Sequence, residues 1–282
     1  MNLRTVAWLL AASLGLIAFC PADEPAAQDP LRPVKKPSEL KFRRVTFTFA
    51  RIQYSSVGVA PVRGGRDMRW ATDYPDSDIN LTARVAKDLG IRTDPKGIVL
   101  RLTDAELKNH PFIYLTEPGS LEFTADEVRC LREYLLEGGF LVVDDFWGEA
   151  QWANFHKQFE RVFPDRPLKE LPLEHPVFHC FYDLKTKPQV PSIHWWLGTG
   201  TTNERGSGPA SYRGLFDDNG RMMAIICHNT DLGDGWEREG ESAEYFREIS
   251  QKLAYPLGVN LVVYALTDRS GDKPPEARPV KK

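Results

Sequence analysis

The chain alternates between apolar segments of strand length and amphipathic segments of helix length. Near-continuous apolar strands separated by amphipathic helices indicate a parallel sheet covered by helices on both faces. The pattern therefore predicts one α/β domain over residues 43–268. The predicted strands are 45–50, 97–102, 111–115 and 140–144, and the predicted helices are 77–89, 124–137 and 151–163.

Some boundaries of these elements are marked by specific residues. Thr124 is followed three residues later by Glu127, which is the capping-box spacing at the start of a helix. Two glycines at 138–139 end that helix and lead into the strand 140–144. Ser77 is in the position to cap the helix 77–89.

The last third of the domain has a different pattern. Residues 212–216 and 221–228 flank a turn that ends in Asn-Gly, which predicts an antiparallel hairpin at one edge of the sheet. A helix is predicted over 242–254. The apolar segment 257–266 could form a helix or a strand, and we favour a helix that continues after a break at Pro256.

Both ends of the chain lie outside the predicted domain. A positive charge at Arg4 precedes an apolar run over 6–19, which is typical of a signal peptide ending at residue 22. Proline-rich, charged stretches over 23–42 and 269–282 predict a disordered linker and a disordered tail. We expect an exported protein of the periplasm or cell envelope. A lipid anchor at Cys20 and an uncleaved N-terminal anchor are the alternatives, and no span is predicted in the mature chain.

Charge and missing motifs exclude several classes of protein. The net charge of −3 provides no electrostatic footprint for nucleic acid. The sequence contains no Gly-Lys-Ser/Thr phosphate loop, no dinucleotide-binding glycine pattern and no Gly-x-Ser-x-Gly elbow. These absences argue against a nucleotide-dependent enzyme and a serine hydrolase. We therefore expect no cofactor.

Polar residues collect where the predicted strands end. Ligands of open parallel sheets bind beyond the C-terminal ends of the strands, so these residues are candidates for one cleft. Carboxylates gathered there would repel one another, and a cation, an arginine or raised carboxylate pKa values must offset the repulsion. The candidate ligand-binding residues are Glu117, Asp144, Asp145, His194, Trp195, Arg213, His228 and Asp231.

Each candidate also has a structural interpretation. Adjacent Asp144 and Asp145 point to opposite faces of a strand unless the chain is already turning, and Asp145 could instead cap the next helix. His194 and Trp195 lie in a predicted loop that either packs as a plug or binds a sugar as a lid. His228, Asp231 and Asp234 are either metal or acid/base groups or parts of an ordinary turn, and their spacing matches no established metal signature.

The segment DYPDSD at 73–78 carries three aspartates at Asp73, Asp76 and Asp78. Carboxylates spaced in this way can bind a hard cation such as Ca²⁺, but the glycine and terminal glutamate of an EF-hand loop are missing. We favour helix capping and loop hydrogen bonds for these residues, and no metal is predicted anywhere in the chain.

Long motifs carry a resemblance to a known family. The resemblance is carried by the stretches RWATDYPDSDINL (69–81), FIYLTEPGSLEFTADEV (112–128), LREYLLEGGFLVVDDFWG (131–148), LPLEHPVFHCFYDL (171–184) and RMMAIICHNTDLGDGWE (221–237). Through them, the chain resembles the bacterial family "domain of unknown function 4159" over about residues 43–267. That family resembles class I glutamine amidotransferase-like and trehalose-utilisation-type domains. The resemblance implies a three-layer, flavodoxin-like α/β fold.

The resemblance also bears on chemistry. The amidotransferases have a nucleophilic cysteine after the strand that corresponds to 140–144, whereas this chain has Asp144 and Asp145 there. We therefore do not expect glutamine hydrolysis. The preferred hypothesis is a non-catalytic module that binds an envelope glycan, peptide or protein. The alternative is a hydrolase that acts on an envelope substrate through carboxylates and histidine, with or without a metal.

Overall fold

The computed structural model describes residues 32–42, 46–56 and 68–267. The predicted signal peptide (1–22) and tail (269–282) lie outside the described residues, as does 23–31 of the predicted linker. None of the helices in the described part of the chain combines the length and the apolar character that a bilayer span requires.

The centre of the domain is a seven-stranded sheet in the spatial order β3-β1-β4-β6-β9-β8-β7, and β2 and β5 pair separately as an antiparallel ribbon. The strands are β1 (Thr46–Ile52), β2 (Ser55–Ser56), β3 (Arg92–Leu100), β4 (Phe112–Thr116), β5 (Leu121–Glu122), β6 (Phe140–Asp144), β7 (Lys169–Glu170), β8 (Ser211–Phe216) and β9 (Met222–His228). From β3 to β9 the neighbours are parallel, whereas β8 and β7 add antiparallel.

Helices precede, separate and follow these strands. The α-helices are α1 (Asp76–Leu89), α2 (Ala125–Leu136), α3 (Gly148–Glu160), α4 (Ile193–Thr199), α5 (Leu232–Glu237), α6 (Ala243–Tyr245) and α7 (Tyr255–Leu266), with a π-helical segment Phe246–Ala254 between α6 and α7. Short 3₁₀ helices cover Pro37–Glu39, Arg69–Ala71, Ala105–Asn109, Pro118–Ser120, Pro176–Phe178 and Glu204–Gly206.

Alternate residues of the strands face two separate hydrophobic cores. In β4, Phe112 and Tyr114 join the core that contains residues of α1, α5 and α7, while Ile113 and Leu115 join the core that contains residues of α2 and α3. This period of two is inherent in the pleat of a strand. The sheet is therefore covered by helices on both faces, as the near-continuous apolar strands predict.

The main sequence predictions of fold are confirmed. Residues 46–50, 112–115 and 140–144 of the predicted strands belong to parallel strands of one sheet, and β6 lies between β4 and β9. The capping box of α2 forms, since the Glu127 N–H donates to Thr124 Oγ1 over 3.2 Å and the Thr124 N–H donates to Glu127 Oε2 over 2.8 Å. The hairpin is antiparallel, although β7 rather than β8 is the outermost strand.

Three local predictions are wrong. Helix α1 begins at Asp76 and is not capped by Ser77, because the Ser77 hydroxyl accepts a hydrogen bond from Arg51 instead. Helix α3 begins at Gly148, earlier than predicted. No break separates the last two helices, because the wider π-helical turns before Pro256 carry the chain into α7.

Part of the predicted linker packs on the domain. The Val34 N–H donates to the Phe181 carbonyl over 2.8 Å, and Phe42 forms an isolated bridge with Thr267. Residues 32–42 thus run along the domain before β1. Cys180 and Cys227 are both buried and are not joined by a disulfide.

Candidate functional site

The ends of β4, β6 and β9 meet at one edge of the sheet. Thr116 pairs with Asp144, so these two strands end side by side. The Glu117 N–H donates to the Asp144 carbonyl over 3.1 Å, and the Asp145 N–H donates to the Thr230 carbonyl over 3.2 Å. Backbone hydrogen bonds thus link the turns that follow the three strands into one unit.

These turns contain non-glycine residues in the left-handed region of backbone space. The φ angles are 47° at Glu117, 56° at Asp145 and 60° at Asn229, and Asp73, in the segment before α1, has a φ angle of 61°. Aspartate and asparagine tolerate this conformation, but it is uncommon for glutamate. Because Asp145 already leaves the extended conformation, Asp144 and Asp145 are not forced to opposite faces. Strained residues concentrated at one sheet edge are typical of functional sites.

Five aspartates and a glutamate gather beneath these turns, and we call them the acidic cluster. Oxygen atoms of Asp73, Asp145 and Asp231 lie within 4.8 Å of one another, and the same holds for Asp73, Asp234 and Glu237. The exposed fraction is only 0% for Asp144, 5% for Asp231 and Asp234, and 9% for Asp145. The members of the acidic cluster are Asp73, Asp144, Asp145, Asp231, Asp234 and Glu237.

Asp144 lies deepest in the acidic cluster. The Tyr114 hydroxyl donates to its Oδ2 atom over 2.7 Å, and the Gly233 N–H donates to the same atom over 3.1 Å. Its Oδ1 atom is buried and has no hydrogen-bond partner among the described residues. Burial raises the pKa of Asp144 to about 7, even though the hydrogen bonds from Tyr114 and Gly233 act in the opposite direction.

Asp145 and Asp231 are also perturbed. Burial raises the pKa of Asp145 well above its ordinary value, and the charge of Glu117 adds to the effect. Burial and the neighbouring charge of Asp145 do the same for the pKa of Asp231. Asp231 caps α5 by accepting the Asp234 N–H over 2.8 Å. Asp145 does not cap α3, because its Oδ1 atom accepts from the Trp147 indole over 3.3 Å instead.

Arg51 holds the segment that carries Asp73. This arginine is 0% exposed, and its guanidinium donates to the carbonyls of Trp70 over 3.1 Å and Thr72 over 2.9 Å. The same group forms a buried ion pair with Asp78 at 2.5 Å. Asp78 therefore anchors β1 to α1 and does not cap the helix. The backbone just before Asp73 is fixed by these contacts.

One arginine neutralises one side of the acidic cluster, and a second arginine pairs with Glu117 beside it. Arg238 Nε lies 2.6 Å from Glu237 Oε2 and 3.9 Å from Asp234 Oδ1. Burial raises the pKa of Asp234 to about 6, and the positive charge of Arg238 lowers it in part. Arg69 forms an ion pair with Glu117. A cavity of about 110 Å³ adjoins this pair and is lined by Arg69, Glu117, Gly119, Ser120 and Gln151.

The structure brings some of the predicted site residues together. Glu117, Asp144, Asp145 and Asp231 converge, since the charges of Glu117 and Asp144 act on Asp145 and the charges of Asp145 and Asp144 act on Asp231. Burial raises the pKa of Asp144, and a raised carboxylate pKa is one of the three ways expected to offset repulsion in this cleft.

His228 and Arg213 make a different set of contacts. The Arg213 guanidinium lies 4.0 Å from the centre of the Trp152 ring, and the His228 ring lies 5.3 Å from the same ring. His228 Nε2 lies 3.2 Å from the Gly148 carbonyl. Arg213 also approaches Glu170 at 3.7 Å. These two residues pack with α3 on the sheet face opposite α1 and α5.

The prediction of a loop at His194 and Trp195 is wrong, because both residues lie on α4. Ser192 caps this helix by accepting the Trp195 N–H over 3.4 Å, and Gly200 ends it in the left-handed conformation at φ 67°. The Ile193 N–H donates to Asp234 Oδ1 over 3.0 Å, so the start of α4 touches the acidic cluster. His194 itself is exposed, and its role in ligand binding stays a prediction.

A family comparison matches residues 48–266 to the model "Domain of unknown function (DUF4159)". The match covers most of the chain. The chain belongs to the DUF4159 family. No protein with a curated description matches it. All members of the acidic cluster lie within the part that matches the DUF4159 model.

Several residues around the candidate site of this DUF4159 domain carry no clear signal in the sequence. Tyr114 is spaced as a core residue of β4, and the pattern does not reveal that its hydroxyl reaches Asp144. The sequence assigns Asp73 to helix capping and loop hydrogen bonding, and it does not single out Glu237. The one available signal was the density of acids in the segment 231–237, which is typical of a site after a strand.

A pH-dependent stability is expected from His228. Burial lowers its pKa below the ordinary value and the nearby Arg213 adds to this, whereas the Gly148 carbonyl, Glu149 and Glu170 oppose it. His228 therefore binds a proton more tightly in the unfolded chain than in the folded protein. The free energy of unfolding falls as the pH drops through about 6.5, the ordinary pKa of histidine.

The measurement is a set of thermal melts between about pH 7.5 and about pH 5 for wild type and His228→Gln. The melting temperature of wild type should fall more over this range than that of the variant, since glutamine does not titrate. Other titrating groups change both proteins alike. If the melting temperature changes equally with pH in the two proteins, His228 is not the source of the pH dependence.

Proposed function

We propose that this DUF4159 domain is an exported, non-catalytic binding module of the periplasm or cell envelope, with its ligand site at the edge of the sheet where β4, β6 and β9 end. The export signal would be residues 1–22. We further propose a three-layer flavodoxin-like fold. The parallel strands β1, β3, β4, β6 and β9 lie in the spatial order 2-1-3-4-5, which is the flavodoxin-like order and supports that fold.

One observation carries the binding proposal. Left-handed Glu117, Asp145 and Asn229 follow three neighbouring strands and surround buried carboxylates at the sheet edge that binds ligands in this architecture. Buried charges without partners cost stability, so a chain that keeps them gains something other than stability from them. Carboxylate oxygens accept hydrogen bonds from the hydroxyl groups of a glycan or the ammonium groups of a peptide.

Binding is favoured over catalysis by the neighbours of Asp145. This residue occupies the strand-to-helix turn where the resembling amidotransferases have their nucleophile, but its main electrostatic neighbours are the carboxylates Glu117, Asp73 and Asp144. Nucleophilic catalysis requires a base within hydrogen-bond reach, oriented by a third group. The contacts of His228 are instead with Gly148 and Trp152.

A carboxylate hydrolase is the second candidate. The observation in its favour is the pKa of Asp144, at about 7, and that of Asp234, at about 6. Carboxyl groups with such values can act as general acids near neutral pH. In that case an envelope substrate would be cleaved rather than held.

Co-sedimentation with purified cell-wall sacculi tests both candidates. The full chain should pellet with sacculi and release no soluble fragments. Asp145→Asn should reduce the pelleted fraction, whereas Asp218→Asn, at the exposed ion pair with Arg166, should not. Failure of wild type to pellet would remove the wall as the ligand. Soluble sugar or peptide fragments would establish the hydrolase.

A further inference from the structure

The two halves of the acidic cluster differ in how their charge is balanced. Arg238 contacts both Asp234 and Glu237. By contrast, none of the ion pairs between described residues involves Asp73, Asp145 or Asp231. The half formed by these three aspartates therefore has no ion-paired arginine among the described residues, whereas Asp234 and Glu237 share Arg238.

The groups that surround these three aspartates add to the uncompensated negative charge. The main charges that act on Asp231 are Asp145, Asp73, Asp234 and Asp144, all of them negative. Arg51, the arginine that favours the charged form of Asp73, already forms a buried ion pair with Asp78. A concentrated negative charge in a buried place requires a compensating positive charge.

Unsatisfied oxygens indicate where that charge would lie. The Asp73 carboxylate is buried, and its Oδ2 atom has no hydrogen-bond partner in residues 32–42, 46–56 and 68–267. Asp144, which is 0% exposed, has an Oδ1 atom in the same condition. Buried acceptors without donors are rare, and a bound ion is one of the standard explanations.

The distances agree with a single ion. Oxygens of Asp73, Asp145 and Asp231 lie within 4.8 Å of one another. Two ligands of one Ca²⁺ or Mg²⁺, bonded at roughly 2.0–2.6 Å, are at most about 5 Å apart. Carboxylate oxygens are the donors that such hard cations select over imidazole or thiolate.

We propose that Asp73, Asp145 and Asp231 bind one hard divalent cation, such as Ca²⁺ or Mg²⁺. The three ligands belong to the segment before α1, the turn after β6 and the cap of α5, so the ion would join three elements. Their separation along the chain explains why no local spacing predicts a metal. This inference goes beyond the envelope ligand proposed above and does not depend on it.

Cation binding is measured on the full chain after treatment with EDTA. Titrations with CaCl₂, MgCl₂ and MnCl₂ by calorimetry should give one equivalent for at least one ion. Terbium luminescence provides a second probe, because Trp147 donates its indole N–H to Asp145 and can sensitise a nearby lanthanide. The saturating ion should raise the melting temperature, since it binds the folded chain.

Two variants and one control locate the ion. Asp73→Asn and Asp231→Asn should each weaken binding by at least about tenfold, the smaller effect seen when a metal site loses an outer partner. Asparagine also caps helices, so Asp231→Asn keeps the start of α5. The matched control, Glu237→Gln, removes one charge from the half that Arg238 balances and should change affinity by less than about threefold.

Three results would overturn the proposal. The wild-type chain takes up no cation at millimolar concentration, or the two asparagine variants bind as tightly as wild type, or Glu237→Gln loses as much affinity as Asp231→Asn. Failure to bind sacculi leaves the cation result unaffected, so the two proposals are tested separately.

Discussion

Replacing Arg51 by methionine should lower the free energy of unfolding by about 3–5 kcal/mol, the loss typical of breaking a buried ion pair by removing one partner. Arg51 and Asp78 have side-chain exposures of 0% and 1%, so the remaining carboxylate cannot regain water. The carbonyls of Trp70 and Thr72 lose their donor as well. Equilibrium unfolding in urea measures the change.

A double variant separates the two parts of this loss. Arg51→Met combined with Asp78→Leu removes both charges, and apolar replacement of a whole buried pair is often neutral. The double variant should therefore regain a large part of the stability. Arg129→Met, at an exposed pair with Asp126 and Glu133, should leave the unfolding midpoint nearly unchanged. A double variant as unstable as the single one would show that the carbonyl contacts dominate.

Much of the fold could be predicted because local signals and tertiary packing agree. The strand 140–144 is bounded by a glycine pair and by two aspartates, and β6 has those bounds. Helix α2 has its capping box, which is a local signal. Short elements are harder to predict from the sequence. Helix α4 has only seven residues, too few for a clear period, although Ser192 and Gly200 are ordinary cap residues.

The candidate site was predicted in part. One predicted member, His228, lies on the other face of the sheet because side chains alternate between the two faces along β9. A strand end determines the sheet edge, but the position along the strand determines the face. Cys227 joins the core of α1, α5 and α7, so His228, one residue later, points toward Trp152 of α3. Asp144 and Tyr114 face the side of α5. Applying the period of two to both strands would have separated His228 from Asp144.

The remaining site residues could not be predicted from spacing. Asp73 reaches the acidic cluster because Arg51, buried on β1, fixes the carbonyls of Trp70 and Thr72. That arrangement depends on a long-range contact and has no local signature. The acids at 231–237 were visible, but which of them Arg238 would neutralise depends on side-chain geometry.

The substitution Gly233→Ala should lower the free energy of unfolding by about 1–3 kcal/mol through overpacking. A Cβ at this position would lie 2.3 Å from Asp73 Oδ2 and 2.9 Å from the Tyr114 hydroxyl. Tyr114 is bonded to Asp144, and Asp73 is enclosed by carboxylates that repel it. The Asp73 carboxylate and the Tyr114 hydroxyl therefore cannot move aside without losing a hydrogen bond or approaching another carboxylate. The steric cost should exceed the roughly 1 kcal/mol that alanine gains over glycine in a helix.

Gly198→Ala on α4 is the matched control, because nothing lies within 4 Å of its Cβ position. It should be neutral or stabilising by up to about 1 kcal/mol, the difference in helix propensity. If a cation binds Asp73, Gly233→Ala should also weaken cation binding, because the methyl group displaces that ligand, whereas Gly198→Ala should not. Equal stability of the two variants would mean that Asp73 can turn away freely. The edge of the sheet would then be too loose to hold either an ion or a ligand in a defined position.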